Sequence, residues 1–148
     1  MFYGANLESF SSDLSSLTNG VYMFYGANLT AFSSDLSSLM YGVYMFYGAN
    51  LESFSSDLSS LTNGYCMFYN CENLTSFSSD LSSLTNGSDM FYGCKLDTPS
   101  VQHIADTINT VTGNPSISIG VDEDDHNLKE TYYQQIRDKG WDVFVLTN

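Results

Sequence analysis

The chain has 148 residues, 43% of them hydrophobic, and a formal net charge of −13 from 17 carboxylates against four cations. The cations Lys95, Lys129, Arg137 and Lys139 all follow residue 94, so the preceding part repels phosphate backbones and anionic membranes, which argues against nucleic acid as a partner. No apolar run approaches the roughly 20 residues of a membrane-spanning helix, and no basic and apolar leader opens the chain, so no membrane insertion is expected in this segment.

The dominant feature is an internal repeat. The string MFYGANLESFSSDLSSLTNGVY starts at Met1 and returns with small changes at Met23, Met45 and Met67, and a fifth copy opens at Met90. The spacings are 22, 22, 22 and 23 residues, the extra one falling in Asn70–Glu72. A unit this short cannot bury its own apolar face; stacked units bury it against each other and build one long core. The expected architecture is therefore a repeat solenoid. Its inward ladders are read from Phe2, Leu7, Phe10, Leu14 and Leu17 and their equivalents. Leu7–Ser12 has the spacing of a short parallel strand. Gly4–Asn6 and Thr18–Gly20 supply turns. Met-Phe-Tyr at each start is read as a short helical turn on the opposite side.

This pattern resembles the BspA-like leucine-rich repeats of bacterial surface proteins. Those repeats carry an aromatic-Gly-Cys-x-x-Leu-x-x-hydrophobic signature. Its counterparts here are Phe68 and Phe91, Cys71 and Cys94, and the pairs Leu7/Phe10, Leu29/Phe32, Leu51/Phe54 and Leu74/Phe77. The resemblance covers residues 1 to about 97. It implies an α/β-type leucine-rich-repeat solenoid with a parallel sheet of short strands. It also implies an extracellular or cell-surface location and a non-enzymatic role in adhesion, with a gut bacterial or phage protein as the source.

Residues 98–148 differ in kind and are read as a C-terminal αβαβ capping unit that continues the sheet; the repeats occupy 1–97. Thr98-Pro99 reads as a Thr N-cap followed by Pro at the first helical position. Val101, Ile104, Ala105 and Ile108 then share one helix face. Ser116–Val121 alternates as a strand. Asp125–Lys139 reads as a second helix with Leu128, Tyr132 and Ile136 on one face and Gly140 beyond its end. Trp141–Leu146 is the last strand, with Val143 and Val145 on one side. The array opens at Met1 on a bare apolar rung, which predicts that upstream repeats or another subunit cover it.

No catalytic set is visible. The serine runs have no histidine in the repeats to serve as base, since His103 and His126 are the only two. Asp13, Asp35, Asp57 and Asp80 share one repeat position. They read as turn-stabilising carboxylates rather than calcium ligands, which would need more oxygens. Asp122-Glu123-Asp124-Asp125-His126 reads as a solvated loop favouring the next helix start rather than a metal site. No metal and no cofactor are expected. Asn6, Asn28, Asn50 and Asn73 are read as an inward ladder bonding the next rung's backbone. Cys71 and Cys94 replace Ala5, Ala27 and Ala49 and fill a small buried slot, either as a disulfide or, the favoured reading, as reduced thiols.

Two surfaces are candidates for binding. Tyr3, Tyr25, Tyr47, Tyr69 and Tyr92 recur beside the core Phe, with Tyr22, Tyr41, Tyr44 and Tyr65 nearby. They form either an aromatic recognition stripe or a packing layer with wet hydroxyls. The alternative is the strand face at Glu8, Thr30, Glu52 and Thr75, which varies between copies. The expected partner is a protein or a glycan. A structural spacer, or a component of a phage tail or fibre, is the other reading, because near-identical units extend a rod without adding contacts.

Overall fold

The computed structural model describes residues 1–122 and 129–147. In chain order the elements are β1 (Ser9–Phe10), β2 (Ala31–Phe32), β3 (Ser53–Phe54), β4 (Ser76–Phe77), β5 (Gly87–Leu96), α1 (Thr98–Thr107), β6 (Ser116–Val121), α2 (Glu130–Asp138) and β7 (Asp142–Thr147). Each repeat strand is two residues long, against the six read from Leu7–Ser12. The cause is local. Asp13 Oδ1 accepts the Ser15 N–H at 2.9 Å, and Asp35, Asp57 and Asp80 repeat that turn with Ser37, Ser59 and Ser82. The chain is thus committed to a turn soon after each strand.

The strands pair in parallel, β1 with β2 and β3 with β4, Phe10 opposite Phe32 and Phe54 opposite Phe77. The single continuous sheet expected from the sequence is replaced by three small sheets, β1–β2, β3–β4 and β5–β6–β7. Other ladders cross the gaps. Isolated parallel bridges join Asn19, Tyr41, Asn63 and Asn86 in turn. On the Met-Phe-Tyr side each rung donates to the next, as in Phe24 N–H to Met45 O at 2.9 Å and Phe46 N–H to Met67 O at 2.9 Å. On the strand side the donors point back, as in Thr30 N–H to Glu8 O at 3.0 Å.

The core follows the repeat. Phe24, Phe46, Phe68 and Phe91 stack at 5.4–5.6 Å with nearly parallel rings. Phe32, Phe54 and Phe77 form a second column that meets the first edge-on. Leu29, Leu51 and Leu74, Met45, Met67 and Met90, and the Leu36/Leu39 series fill the remainder.

In the first four copies Met-Phe-Tyr lies in tight turns rather than a helical turn, closed by bonds such as Ala27 N–H to Phe24 O at 3.1 Å. In the fifth copy the same motif becomes β5, because β6 supplies a strand to pair with. The register of β5 slips on either side of Phe91, and the segments that slip contain Asp89 (φ 55°) and Gly93 (φ 75°). Those two residues occupy the left-handed positions of the repeat, matched by Tyr44 (φ 54°) and Gly48 (φ 66°).

The C-terminal segment has the αβαβ order read from the sequence, and β6 falls on the expected residues. Asp97, not Thr98, caps α1: its carboxylate accepts the Ser100 N–H at 2.9 Å, and Thr98 and Pro99 are already helical. A charged acceptor satisfies the helix N-terminus better than a hydroxyl does. Val101, Ile104, Ala105 and Ile108 are buried as expected. In α2 it is Tyr133 and Ile136 that go inward, with Tyr132 only partly covered. The expected start of that helix at Asp125, its Leu128, and most of the acidic run after Asp122 lie outside the described residues. Lys139 follows α2 and donates to Ala105 O and Ile108 O at 2.7 and 3.0 Å, neutralising the C-terminal end of α1.

Candidate functional site

Tyr3, Tyr25, Tyr47, Tyr69 and Tyr92 form one unbroken stack. Successive ring centroids lie 4.9, 4.5, 5.0 and 4.5 Å apart, with planes within 5° of parallel. The adjacent Phe24, Phe46, Phe68 and Phe91 go into the core, with Phe2 partly buried against it, and the neighbouring Tyr of each copy is left at the surface. Tyr3 is 64% exposed, and the next four rings are half-buried by each other. Stacking covers the faces of the inner rings and leaves edges and hydroxyls in contact with solvent.

A second column runs beside the first at the residue preceding each Met. It reads Tyr22, Tyr44, Cys66, Asp89. Tyr22 stacks on Tyr44 at 5.0 Å. The column then loses its rings, and Tyr65 turns in from the neighbouring position to meet Tyr44 edge-on at 5.3 Å. A groove of about 580 Å³ lies between the two columns, with Cys66 and Asp89 at the end where the rings stop. Next to it, a cleft of about 400 Å³ is lined by Tyr92, Asp89, Phe144 and Leu146 with the hydroxyls of Ser116 and Ser118. Asp89 is common to both. Its carboxylate accepts the Ser118 hydroxyl at 3.2 Å.

The rings alter each other's acidity. Burial, reinforced by the stacked neighbours, pushes the Tyr25 and Tyr69 phenols above the ordinary tyrosine value. A hydrogen bond with Tyr65 and then burial push Tyr44 further up. Burial also raises the Cys66 thiol. A phenol whose folded-state pKa exceeds its unfolded one stabilises the fold fully below the unfolded value, and that advantage is lost as pH rises from there through the folded value. The urea midpoint is therefore expected to fall as pH is raised past 10.0, the ordinary tyrosine value. Phenolate absorbance is expected to lag behind that of the unfolded chain. Coincident titration curves would contradict this.

The strand-face residues Glu8, Thr30, Glu52 and Thr75 are all exposed. The Thr30 hydroxyl donates to Glu8 O at 3.0 Å, and that of Thr75 contacts Glu52 O at 3.5 Å, so both threonines serve the ladder. None of the four lines the tyrosine groove. Tyr41 also stands apart from it, at the bridge position otherwise held by Asn. The asparagine ladder faces outward instead of inward: Asn28 Nδ2 donates to Asn6 Oδ1 at 3.3 Å, and Asn50 donates likewise to Asn28. The amides bond one another, not the backbone, because the core beneath is filled by Leu and Phe.

Cys71 and Cys94 are buried and reduced, and their thiols donate to Phe46 O and Phe68 O at 3.1 and 3.2 Å. Burial pushes the Cys71 thiol up to about 12 and the Cys94 thiol well above its ordinary value. Neither thiol is expected to react with a disulfide reagent at neutral pH until the chain unfolds. Prompt labelling of Cys71 or Cys94 in the native protein, read by peptide mass mapping, would refute this.

Short parallel strands on a 22-residue period, with Leu, Phe and Met in inward columns, make this a leucine-rich repeat protein by architecture. The sequence matches the BspA type leucine rich repeat region over residues 1–113, in six copies, and the chain belongs to that family. The family is generally non-enzymatic, is typically surface-associated, and suggests a protein-interaction or surface module. No curated protein and no solved structure matches the chain. Among the described residues no helix is long and apolar enough to cross a membrane, and no three His, Cys, Asp or Glu side chains gather where they would hold a metal ion.

Sequence reasoning does not single out the groove-forming residues Cys66 and Asp89 as binding residues. The signal is nonetheless present: the residue before Met reads Tyr, Tyr, Cys, Asp in a repeat that otherwise hardly changes.

Proposed function

We propose that this chain is a non-enzymatic binding module of a surface protein, a leucine-rich solenoid whose tyrosine face seats a protein or glycan ligand. One observation carries this reading. Among the described residues, seven tyrosines line a single groove together with only one charged residue, on a chain of net charge −13. Interfaces are rich in tyrosine and poor in charge at their centres. The hidden ring faces favour a polypeptide over a sugar, because a pyranose stacks on a ring face whereas a peptide backbone bonds to hydroxyls. On this reading residues 1–97 form the array and 98–148 close it, consistent with the burial of Tyr133 and Trp141.

The test is binding of labelled protein to bacterial and epithelial cells, mucins, extracellular proteins and an arrayed glycan set. The triple variant Tyr25→Ser/Tyr47→Ser/Tyr69→Ser is measured beside the parent, with folding checked by circular dichroism. A specific signal lost in the triple variant supports the tyrosine face. A signal kept there but lost on Glu8→Ala/Glu52→Ala moves the ligand to the strand face. The uniform ring spacing along the array favours a second reading, a spacer within an adhesin or a phage fibre; absence of any specific signal would favour it.

A further inference from the structure

The tyrosine stack ends at Tyr92. One face of that ring is covered by Tyr69 at 4.5 Å, and no other described ring contacts it. Tyr92 lines the cleft of about 400 Å³ between β5 and β7, beside the Asp89 carboxylate. Across the cleft stand Leu146 and Phe144, the latter 52% exposed. The alternation of β7 explains this exposure: Val143 is buried and Phe144 takes the opposite side. An apolar wall, a phenol ring and a single carboxylate thus converge in one recess.

Charge selects the occupant. Among the described residues, Asp89 is the one charged group lining either the groove or the cleft. Its carboxylate bonds a neutral hydroxyl, that of Ser118. No Lys or Arg occurs in the chain before Lys95, and the described residues lining the cleft include none. We infer that this recess is a subsite for a lysine or arginine side chain of an extended polypeptide partner. The stem lies against Phe144 and Leu146, and the cationic head sits between the Asp89 carboxylate and the Tyr92 ring. A cation near an aromatic ring and a carboxylate gains from both, and a long basic side chain has the apolar stem the walls require. The rest of the peptide continues along the tyrosine groove, so the inference rests on the binding reading above and names the chemistry of its ligand.

The experiment titrates the intact chain with three capped Gly/Ser heptapeptides carrying a central Lys, Arg or Gln, and with glucosamine. Amide chemical shifts of Asp89, Tyr92, Ser118 and Phe144 report binding. Asp89→Asn is compared with Asp57→Asn, which removes the same charge far from the recess and keeps an oxygen for the Ser59 N–H. The Lys and Arg peptides are expected to bind with shifts confined to the recess. Affinity should drop about tenfold in Asp89→Asn, stay unchanged in Asp57→Asn, and be about tenfold lower for the Gln peptide. Equal binding of the Gln peptide, or equal losses in the two variants, overturns the cationic subsite. Glucosamine binding more tightly than the peptides overturns the polypeptide source. Failure of every probe here, with Tyr-dependent binding kept in the cell and protein panel, sinks the subsite alone; loss of that panel signal too sinks the underlying reading.

Discussion

Phe46→Ala is expected to lower stability by about 5 kcal/mol, enough to unfold much of the population at 25 °C. Truncating a fully buried Phe costs about 3–5 kcal/mol. Aromatic pairs add roughly 0.5–1.5 kcal/mol each beyond area burial, though not additively. Phe46 is wholly buried and meets four rings: Phe24 and Phe68 stacked at 5.4 and 5.5 Å, Phe32 and Phe54 edge-on at 4.9 and 5.3 Å. The position in the array matters as much as the count. Each rung contacts only its neighbours, so stability is a sum of rung terms and interface terms. Removing Phe46 weakens two interfaces at the middle of the array. Among the described rings Phe2, half-buried at the first rung, meets only Phe10 and Phe24 at 5.2 and 5.3 Å. Phe2→Ala should therefore cost less than half as much. Urea denaturation followed by circular dichroism measures both. Equal midpoint shifts would mean that the phenylalanine columns do not couple the rungs.

The columns are legible in the sequence because a 22-residue period puts identical side chains at identical places. Once the period is seen, the stack from Tyr3 to Tyr92 follows, as does the phenylalanine core. The strand Ser116–Val121 is equally legible, since Ile117 and Ile119 alternate with small residues. Less visible is whatever depends on contacts between distant segments. The motif Met90-Phe91-Tyr92 resembles its four predecessors yet forms a strand, because the partner strand lies more than twenty residues downstream. The recurrence of Asn at one repeat position suggests an inward ladder bonding the next rung's backbone, but at Asn28 and Asn50 the available depth is already taken by Leu29 and Leu51. The end of the groove at Cys66 and Asp89 escapes sequence reasoning for a different reason. Against so strong a repeat, Cys66 and Asp89 look like drift. In the fold they are where a column of rings stops and a recess opens, so on a repetitive scaffold the departures from the repeat mark where the surface changes.

Gly120 shows how tightly the C-terminal segment is joined to the repeats. Gly120→Ala is expected to cost about 3 kcal/mol or more, in the range of overpacking a close contact. A Cβ there would meet Phe91 O at 2.6 Å and Cys94 N at 2.8 Å, and would press against Cys94 O as well. All three are backbone atoms of β5, so no rotamer change relieves the clash. The β5–β6 pairing must open. Gly64 supplies the contrast. A Cβ at Gly64 meets Met90 Sδ at 2.9 Å, the far end of a flexible side chain, so Gly64→Ala should cost about 1 kcal/mol or less. Because Trp141 is buried and its Nε1 donates to Asn109 O at 2.8 Å, its fluorescence reports the C-terminal segment directly. In Gly120→Ala the Trp signal should be lost at lower urea than the far-ultraviolet signal of the repeats, splitting one transition into two. In Gly64→Ala the two probes should still coincide. Coincident transitions in Gly120→Ala, with an unchanged midpoint, would mean that β6 packs on β5 more loosely than its close approach to the Phe91 and Cys94 carbonyls requires.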